Sequence, residues 1–230
     1  MIDIGIIGAM EVEVNDLVSR LENRKCETVS GIDFHTGKLL GKEVAIAKCG
    51  IGKVFAAMAA EVMILKYAPK LLVNTGVGGA LAKDLSTGDI VIANKLCQHD
   101  MDTSPLGDPV GLISGINKIY FEADKKLINL AQSVIKEQKF NFKTGVIASG
   151  DQFIATKEQK ANIVTNFNAI ACEMEGAPIG HTAYVNNVGF IVIRAISDSA
   201  DDTSSMDYPT FLKMAAENSF KITLELINRI

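Results

Sequence analysis

The stretch IDIGIIGAMEVEVNDLVSRL, residues 2–21, decides the fold class. Ile2–Ile7 is an apolar, strand-like run, and Gly8 closes it. Val14, Leu17, Val18 and Leu21 then recur at helical spacing, so a helix follows the strand directly. Further strand-like runs lie at Phe34–Leu40, Val44–Lys48, Leu71–Thr75, Asp89–Ala93, Thr144–Ser149, Ala169–Cys172 and Gly189–Ile196. Most are rich in Val, Ile and Leu and apolar on both faces, as strands are when helices cover a sheet above and below. Helical patterns at Lys53–Tyr67, Glu122–Gln138, Lys157–Val164, Met174–Tyr184 and Pro209–Ile227 alternate with many of them. The alternation predicts a three-layer α/β fold, a mixed and largely parallel twisted sheet flanked by helices. Phe34–Leu40 and Val44–Lys48, joined at Gly41-Lys42-Glu43, read as an antiparallel hairpin within it.

No repeat, low-complexity tract or Pro/Ser-rich linker interrupts the chain, so residues 1–230 are read as one domain. Gln98–Lys118 fits neither pattern. Two prolines and three glycines in so long a connection mark a functional loop, an interface or a mobile surface segment.

Composition narrows the function. With 48% hydrophobic and 22% charged residues the chain is an ordinary globular protein. A mean hydropathy of +0.21 points to a large core, an oligomer interface or both. The net charge of −4 leaves no electrostatic footprint for a phosphate backbone, so nucleic acid is not an expected partner. The uncharged stretch Gly176–Ile193 is broken by Pro178, His181, Asn186 and Asn187, so no membrane span is expected. The first residues carry no basic stretch before their apolar run, which argues against a secretory leader. Cys26, Cys49, Cys97 and Cys172 lie far apart with no C-x-x-C pair and read as reduced residues of a cytoplasmic protein. His35, His99 and His181 are equally scattered, and neither a metal nor another cofactor is called for.

In open α/β sheets ligands bind beyond the carboxyl ends of the strands. The residues that follow the strands here are Gly8-Ala9-Met10-Glu11-Val12-Glu13, Gly50-Ile51-Gly52, Gly76-Val77-Gly78-Gly79-Ala80, Gly150-Asp151-Gln152-Phe153-Ile154, Glu173-Met174-Glu175-Gly176 and Ser197-Asp198. Each has a structural reading of its own: Glu11 or Glu13 complementing a helix N-terminus, Asp198 capping a helix, glycines making turns. Their accumulation at one end of a sheet favours a site. None of the glycine pairs completes G-x-G-x-x-G, and Gly50-Ile51-Gly52-Lys53 lacks the full phosphate-loop spacing, so a nicotinamide or nucleotide reading does poorly.

These blocks resemble the 5′-methylthioadenosine/S-adenosylhomocysteine nucleosidases of the purine nucleoside phosphorylase-like superfamily. The matching text runs from Ile4-Gly5-Ile6-Ile7-Gly8-Ala9-Met10-Glu11-Val12-Glu13 through Gly50-Ile51-Gly52-Lys53, Asn74-Thr75-Gly76, Ser149-Gly150-Asp151-Gln152-Phe153-Ile154 and Glu173-Met174-Glu175-Gly176-Ala177 to Arg194-Ala195-Ile196-Ser197-Asp198, six blocks in family order. The resemblance implies Glu13 as the base for the attacking water and Asp198 as the acid on the purine. It implies Met174 and Glu175 at the ribose, Phe153 stacked on adenine, the backbone of Ile154 on its edge and the backbone of Gly79 against the substrate. Arg194 and Ser197 would support water and acid, and Met10, Ile51 and Tyr208 would line the pocket for the sulfur substituent. Val77 stands where many relatives carry serine, and part of Gln98–Lys118, which in the family crosses a dimer interface, diverges. A homodimer acting in methionine salvage, with an adenine nucleoside and water as substrates, is what the resemblance implies.

The residue types suit that reaction. Cleaving a ribosyl–adenine bond expels a poor leaving group and leaves oxocarbenium character on the sugar. A positioned acid supplies about 10²–10⁴-fold, provided it holds a proton near neutrality; burial against the purine, with Asp201 and Asp202 nearby in sequence, favours that form of Asp198. Two alternatives remain at this point. A nucleoside phosphorylase would need a cationic or N–H-lined cradle, where this chain has carboxylates; a non-catalytic nucleoside binder would have no use for a paired acid and base.

Overall fold

The computed structural model describes residues 2–201 and 204–230. The first unit forms as read: β1 (Ile4–Gly8) is buried throughout, and α1 (Glu11–Ser19) buries Val14, Leu17 and Val18. The chain continues through β2 (Glu22–Val29), β3 (Ile32–Leu39), β4 (Lys42–Lys48), α2 (Lys53–Val62), β5 (Leu71–Ala80), β6 (Ile90–Gln98), β7 (Phe121–Glu122), α3 (Lys125–Glu137), β8 (Phe142–Ser149), α4 (Lys157–Phe167), β9 (Ala169–Glu173), α5 (Gly176–Val185), β10 (Gly189–Asp198) and α6 (Ser204–Arg229).

Parallel pairings run through the centre of the sheet, β4–β1–β5–β10 and β6–β8–β9. The hairpins β2–β3–β4 add an antiparallel edge, and β10 meets β6 antiparallel. β9 also returns to the far end of β5, pairing Cys172 with Gly79 and Ala171 with Ala80. The pairings therefore close a ring, β5–β10–β6–β8–β9, which the strand–helix alternation does not predict. It forms because β5 is ten residues long: β10 takes one edge along its length, and the other edge is shared by β1 at Leu71–Asn74 and β9 at Gly79 and Ala80.

Differences from the sequence reading have physical causes. β2, Glu-Asn-Arg-Lys-Cys-Glu-Thr-Val, is exposed almost throughout and has no apolar face, so only its ladder with β3 makes it a strand. Its charges suit an edge, where further pairing must be discouraged. The helix expected from Pro209 starts at Ser204, whose hydroxyl accepts from Asp201 N (2.7 Å), leaving Pro209 inside its early turns. The helix expected from Glu122 starts at Lys125, capped by the Asp124 carboxylate on Lys126 N and Leu127 N. Lys53–Tyr67 is continuous but passes from α-helix into a π-helical turn at Met63. Gln98–Lys118 holds only a short 3₁₀ turn at Ser104–Leu106 and an isolated bridge from Ile113 to Lys118. Gly176–Ile193 divides between α5 and β10, and no described helix is long and apolar enough to cross a membrane.

Candidate active site

The carboxyl ends of β1, β4, β5, β8, β9 and β10 converge on one cavity of about 350 Å³. Met10 and Glu13 reach it from the first turn, Ile51 from the second, Val77 and Gly79 from β5, and Phe153 and Ile154 from the turn after β8. Met174 and Glu175 follow β9, Ser197 and Asp198 end β10, and Tyr208 arrives from α6. Of the residues expected at the site only Arg194 is absent from its wall. Ala9, Gly78, Gln152, Cys172 and Glu173 also line the cavity. Ala9, Gly78, Gln152 and Glu173 stand inside the strand-end blocks of the sequence and Cys172 ends the strand-like run before one of them, but nothing in their type sets them apart from their neighbours.

Glu13 is placed by its helix. As the third residue of α1 it folds back onto the open end, where Oε2 accepts from Ala9 N (2.8 Å) and Met10 N (2.9 Å). Oε1 accepts from Val77 N (3.0 Å), tying the helix end to β5. The helix-end role and the site role are thus the same contact. A methyl group at Gly76 would lie 2.5 Å from Oε1, so this approach requires glycine there. Burial raises the proton affinity of Glu13 above the ordinary carboxylate level, while Arg194 and the three N–H groups pull it back.

Asp198 does not cap a helix; it ends β10, four-hundredths exposed. Its Oδ2 accepts from the Ser197 hydroxyl (2.9 Å) and Oδ1 from Ala200 N (2.9 Å). Asp201, expected nearby, begins the turn into α6; Asp202 lies outside the described residues. Gly79 passes beneath the carboxyl, where a methyl would come within 2.9 Å of Oδ1.

Glu173 and Glu175 are both buried but are held differently. Glu173 accepts from Glu175 N (3.0 Å), Gly176 N (2.7 Å), the Ser149 hydroxyl and the Arg194 guanidinium. Glu175 accepts from Gly52 N (2.9 Å) and lies 4.0 Å from Arg194. Burial, then the neighbouring Glu173, pushes Glu175 up to about 8, against the pull of Arg194 and Gly52 N–H. Arg194 itself is buried behind the wall, bonded also to Asn74 Oδ1 (2.6 Å) and the Ile193 carbonyl (3.1 Å). Burial opposes its charge, and Glu173, Glu175 and Glu13 more than offset that. It supports the glutamates rather than reaching into the cavity.

At the mouth Phe153 is 46% exposed and meets Tyr208 edge to face, with ring centroids 5.5 Å apart. The Tyr208 hydroxyl donates to Met10 Sδ (3.2 Å), and burial followed by the nearby carboxylates pushes it up to about 12, so it stays a donor. Among the described residues the wall carries the carboxyl groups of Glu13, Glu173, Glu175 and Asp198 and no Lys, Arg or His. Among the described residues no group of three or more His, Cys, Asp and Glu side chains is placed to hold a metal ion.

The family model of the phosphorylase superfamily matches residues 3–228. The chain belongs to the phosphorylase superfamily. Within that superfamily it is similar to the 5′-methylthioadenosine/S-adenosylhomocysteine nucleosidase of Staphylococcus saprophyticus, 43% identical over 99% of this chain and 100% of the relative. A crystal structure of such a nucleosidase from Neisseria meningitidis in complex with methylthio-immucillin-A superposes with a TM-score of 0.96, at 35% identity over 99% of each chain. A futalosine hydrolase of Helicobacter pylori gives 0.95 at 36% identity, over 99% of this chain and 98% of that one. The expected α/β superfamily fold is borne out.

Proposed function

We propose that the chain hydrolyses the N-glycosidic bond of 5′-methylthioadenosine, S-adenosylhomocysteine or both, releasing adenine and the thioribose product. The observation that carries the choice of nucleophile is the lining of the wall: Glu13, Glu173, Glu175 and Asp198 face one cavity, and among the described residues no lysine, arginine or histidine lines it. Phosphate would find no cation to hold it and would meet the Glu13 carboxylate, whereas water meets a base.

In this reading water attacks the anomeric carbon as the bond to the purine nitrogen breaks. Glu13 takes the proton from water, and Asp198 delivers its proton to the departing adenine. Solvent then returns the proton from Glu13 to Asp198, so the cycle closes. Glu175 and Met174 hold the ribose, Phe153 covers the adenine, and Ile154 and Gly79 meet it through their backbones. Met10, Ile51 and Tyr208 take the 5′-substituent. Ser197 holds the acid, and Arg194 holds the glutamates. Val77 offers the sugar an apolar side chain, its N–H being committed to Glu13.

The same reading makes residues 1–230 one nucleosidase domain, working as a cytoplasmic homodimer in methionine salvage. A dimer is supported by the apolar surface of α2, where Val54 and Phe55 are 70% and 50% exposed beside Ile51 and Met58. Adenine release in phosphate-free buffer, unchanged by added phosphate, is the expected result; strict dependence on phosphate overturns hydrolysis. Binding of the nucleoside without adenine formation over hours returns the non-catalytic alternative. Specificity constants for 5′-methylthioadenosine, S-adenosylhomocysteine, 5′-deoxyadenosine and an aminofutalosine-type nucleoside, compared side by side, rank the substrates.

A further inference from the structure

Lys160 is a charged side chain for which the chemistry above has no use. It lies part-buried on α4, and its Nζ donates to two backbone carbonyls, Ala80 O (2.8 Å) and Ser199 O (2.6 Å). Each partner adjoins a residue of the purine end of the cavity. Ala80 follows Gly79 on β5, and Ser199 follows Asp198 at the end of β10. The helix that carries Lys160 begins just beyond the Phe153-Ile154 turn. One ammonium therefore joins the three segments that approach the purine.

The tie falls where the ladder gives way. β10 runs beside β5 in register up to Ile196 opposite Gly78, and the register then shifts so that Asp198 stands opposite Gly79. The Ser197 hydroxyl and Ala200 N–H orient the Asp198 carboxyl within its own turn. Toward β5 the Ser197 hydroxyl makes only a long contact with the Gly78 carbonyl (3.4 Å), whereas the two bonds of Lys160 are 2.6 and 2.8 Å. The seating is close: a methyl at Gly79 would lie 2.9 Å from both Asp198 Oδ1 and Ala200 Cβ. Hydrogen bonds from a charged donor are stronger than neutral ones, which suits a cation to this junction.

We propose that Lys160 is the positioning residue of the Asp198 acid, holding the Asp198–Ala200 turn on the Gly79–Ala80 strand end. The inference rests on the nucleosidase reading and acts only through the proton that Asp198 delivers to adenine. A leaving group that departs without a proton is therefore indifferent to Lys160. The test compares Lys160→Met and Lys160→Arg with the unaltered chain on 5′-methylthioadenosine and on the p-nitrophenyl 5-methylthioriboside, with melting temperatures measured alongside. Lys160→Met is expected to lower kcat for adenine release by about 100-fold, the effect of a displacement near 1 Å, with a much smaller change in KM. The p-nitrophenyl substrate is expected to lose less than about threefold, since it needs no general acid. Lys160→Arg, which keeps the charge and the donors, recovers most of the adenine rate. The ratio of the two rates does not depend on the folded fraction, so a poorly folding Lys160→Met still decides the matter. Equal losses on both substrates, or an unchanged adenine rate, overturn the proposal. An unaltered chain that releases no adenine overturns the nucleosidase reading itself.

Discussion

Gly76→Ala isolates the placement of Glu13 without touching its carboxyl group. The added methyl lies 2.5 Å from Glu13 Oε1 and 3.0 Å from Cδ. Ordinary contact begins at 3.4 Å, so the carboxyl must retreat by roughly 0.9 Å. Retreat on that side lengthens the bond from Val77 N, now 3.0 Å, beyond use. Losing a hydrogen bond to a charged acceptor costs about 1.5–3 kcal/mol. For a chain of this size that lowers Tm by roughly 3–12 °C. A base displaced by about 1 Å costs on the order of 100-fold in rate, equivalent to about 2.7 kcal/mol of barrier. The assay is adenine release, followed to saturation so that kcat and KM separate, with Tm measured on the same preparation. The expected result is a kcat lowered by about two orders of magnitude with KM changed much less, because the purine contacts lie on the other side of the cavity. Gly31→Ala is the control. It sits in an open turn at φ +76° with nothing within 4 Å, so it costs stability of about 1–2 kcal/mol through backbone strain and leaves the rate alone. A Gly76→Ala chain with lowered Tm and a kcat within about threefold of the unaltered one refutes the placement of Glu13 as the base.

Asp198→Asn keeps the shape of the acid and removes its proton, so turnover falls by at least about 10²–10⁴-fold while equilibrium binding of the nucleoside changes little. Titration calorimetry beside the rate assay checks both halves, and near-normal turnover removes Asp198 from the chemistry. Glu175, pushed up to about 8, keeps its proton in the folded chain over a range where an unfolded carboxyl, ordinarily at 4.5, has lost it. Its stabilising contribution is complete below the unfolded value and is lost as pH rises through about 8. The Tm of the unaltered chain, measured against Glu175→Gln, should therefore fall by several degrees between about pH 5 and pH 8, and a difference that holds constant or grows refutes the assignment. Arg194→Met strands Glu173 in the interior and should cost about 3–5 kcal/mol by chemical denaturation. Glu173→Gln in the same chain should recover about 1 kcal/mol or more of it in a double-mutant cycle, and strict additivity would show the pair to be uncoupled.

Fold class was legible before any coordinates because periodicity and glycine turns are local. Ile2–Ile7 followed by Val14, Leu17, Val18 and Leu21 needs only near neighbours to specify strand, turn and helix. β2 was illegible for the converse reason: its eight residues carry no apolar face, and their strand form depends on a partner. Candidate site residues were legible as blocks near the strand ends, and the family resemblance of those blocks is what singled out Glu13, Glu175, Phe153 and Asp198 together. Arg194 shows the limit, since its place in a block gives no sign that Glu173 and Asn74 absorb its charge behind the wall.

What the chain alone determined is therefore the order of elements and the end of the sheet at which chemistry gathers, both consequences of backbone periodicity and residue type. Tertiary structure decided the rest. It closed β5 through β9 into a ring and folded Glu13 onto Val77 N. It also brought Gly52 N–H to Glu175 from 123 residues away. Distances of that kind set the proton affinities and the reach of each carboxyl, and burial that depends on segments far apart in the chain has no signature in any one of them.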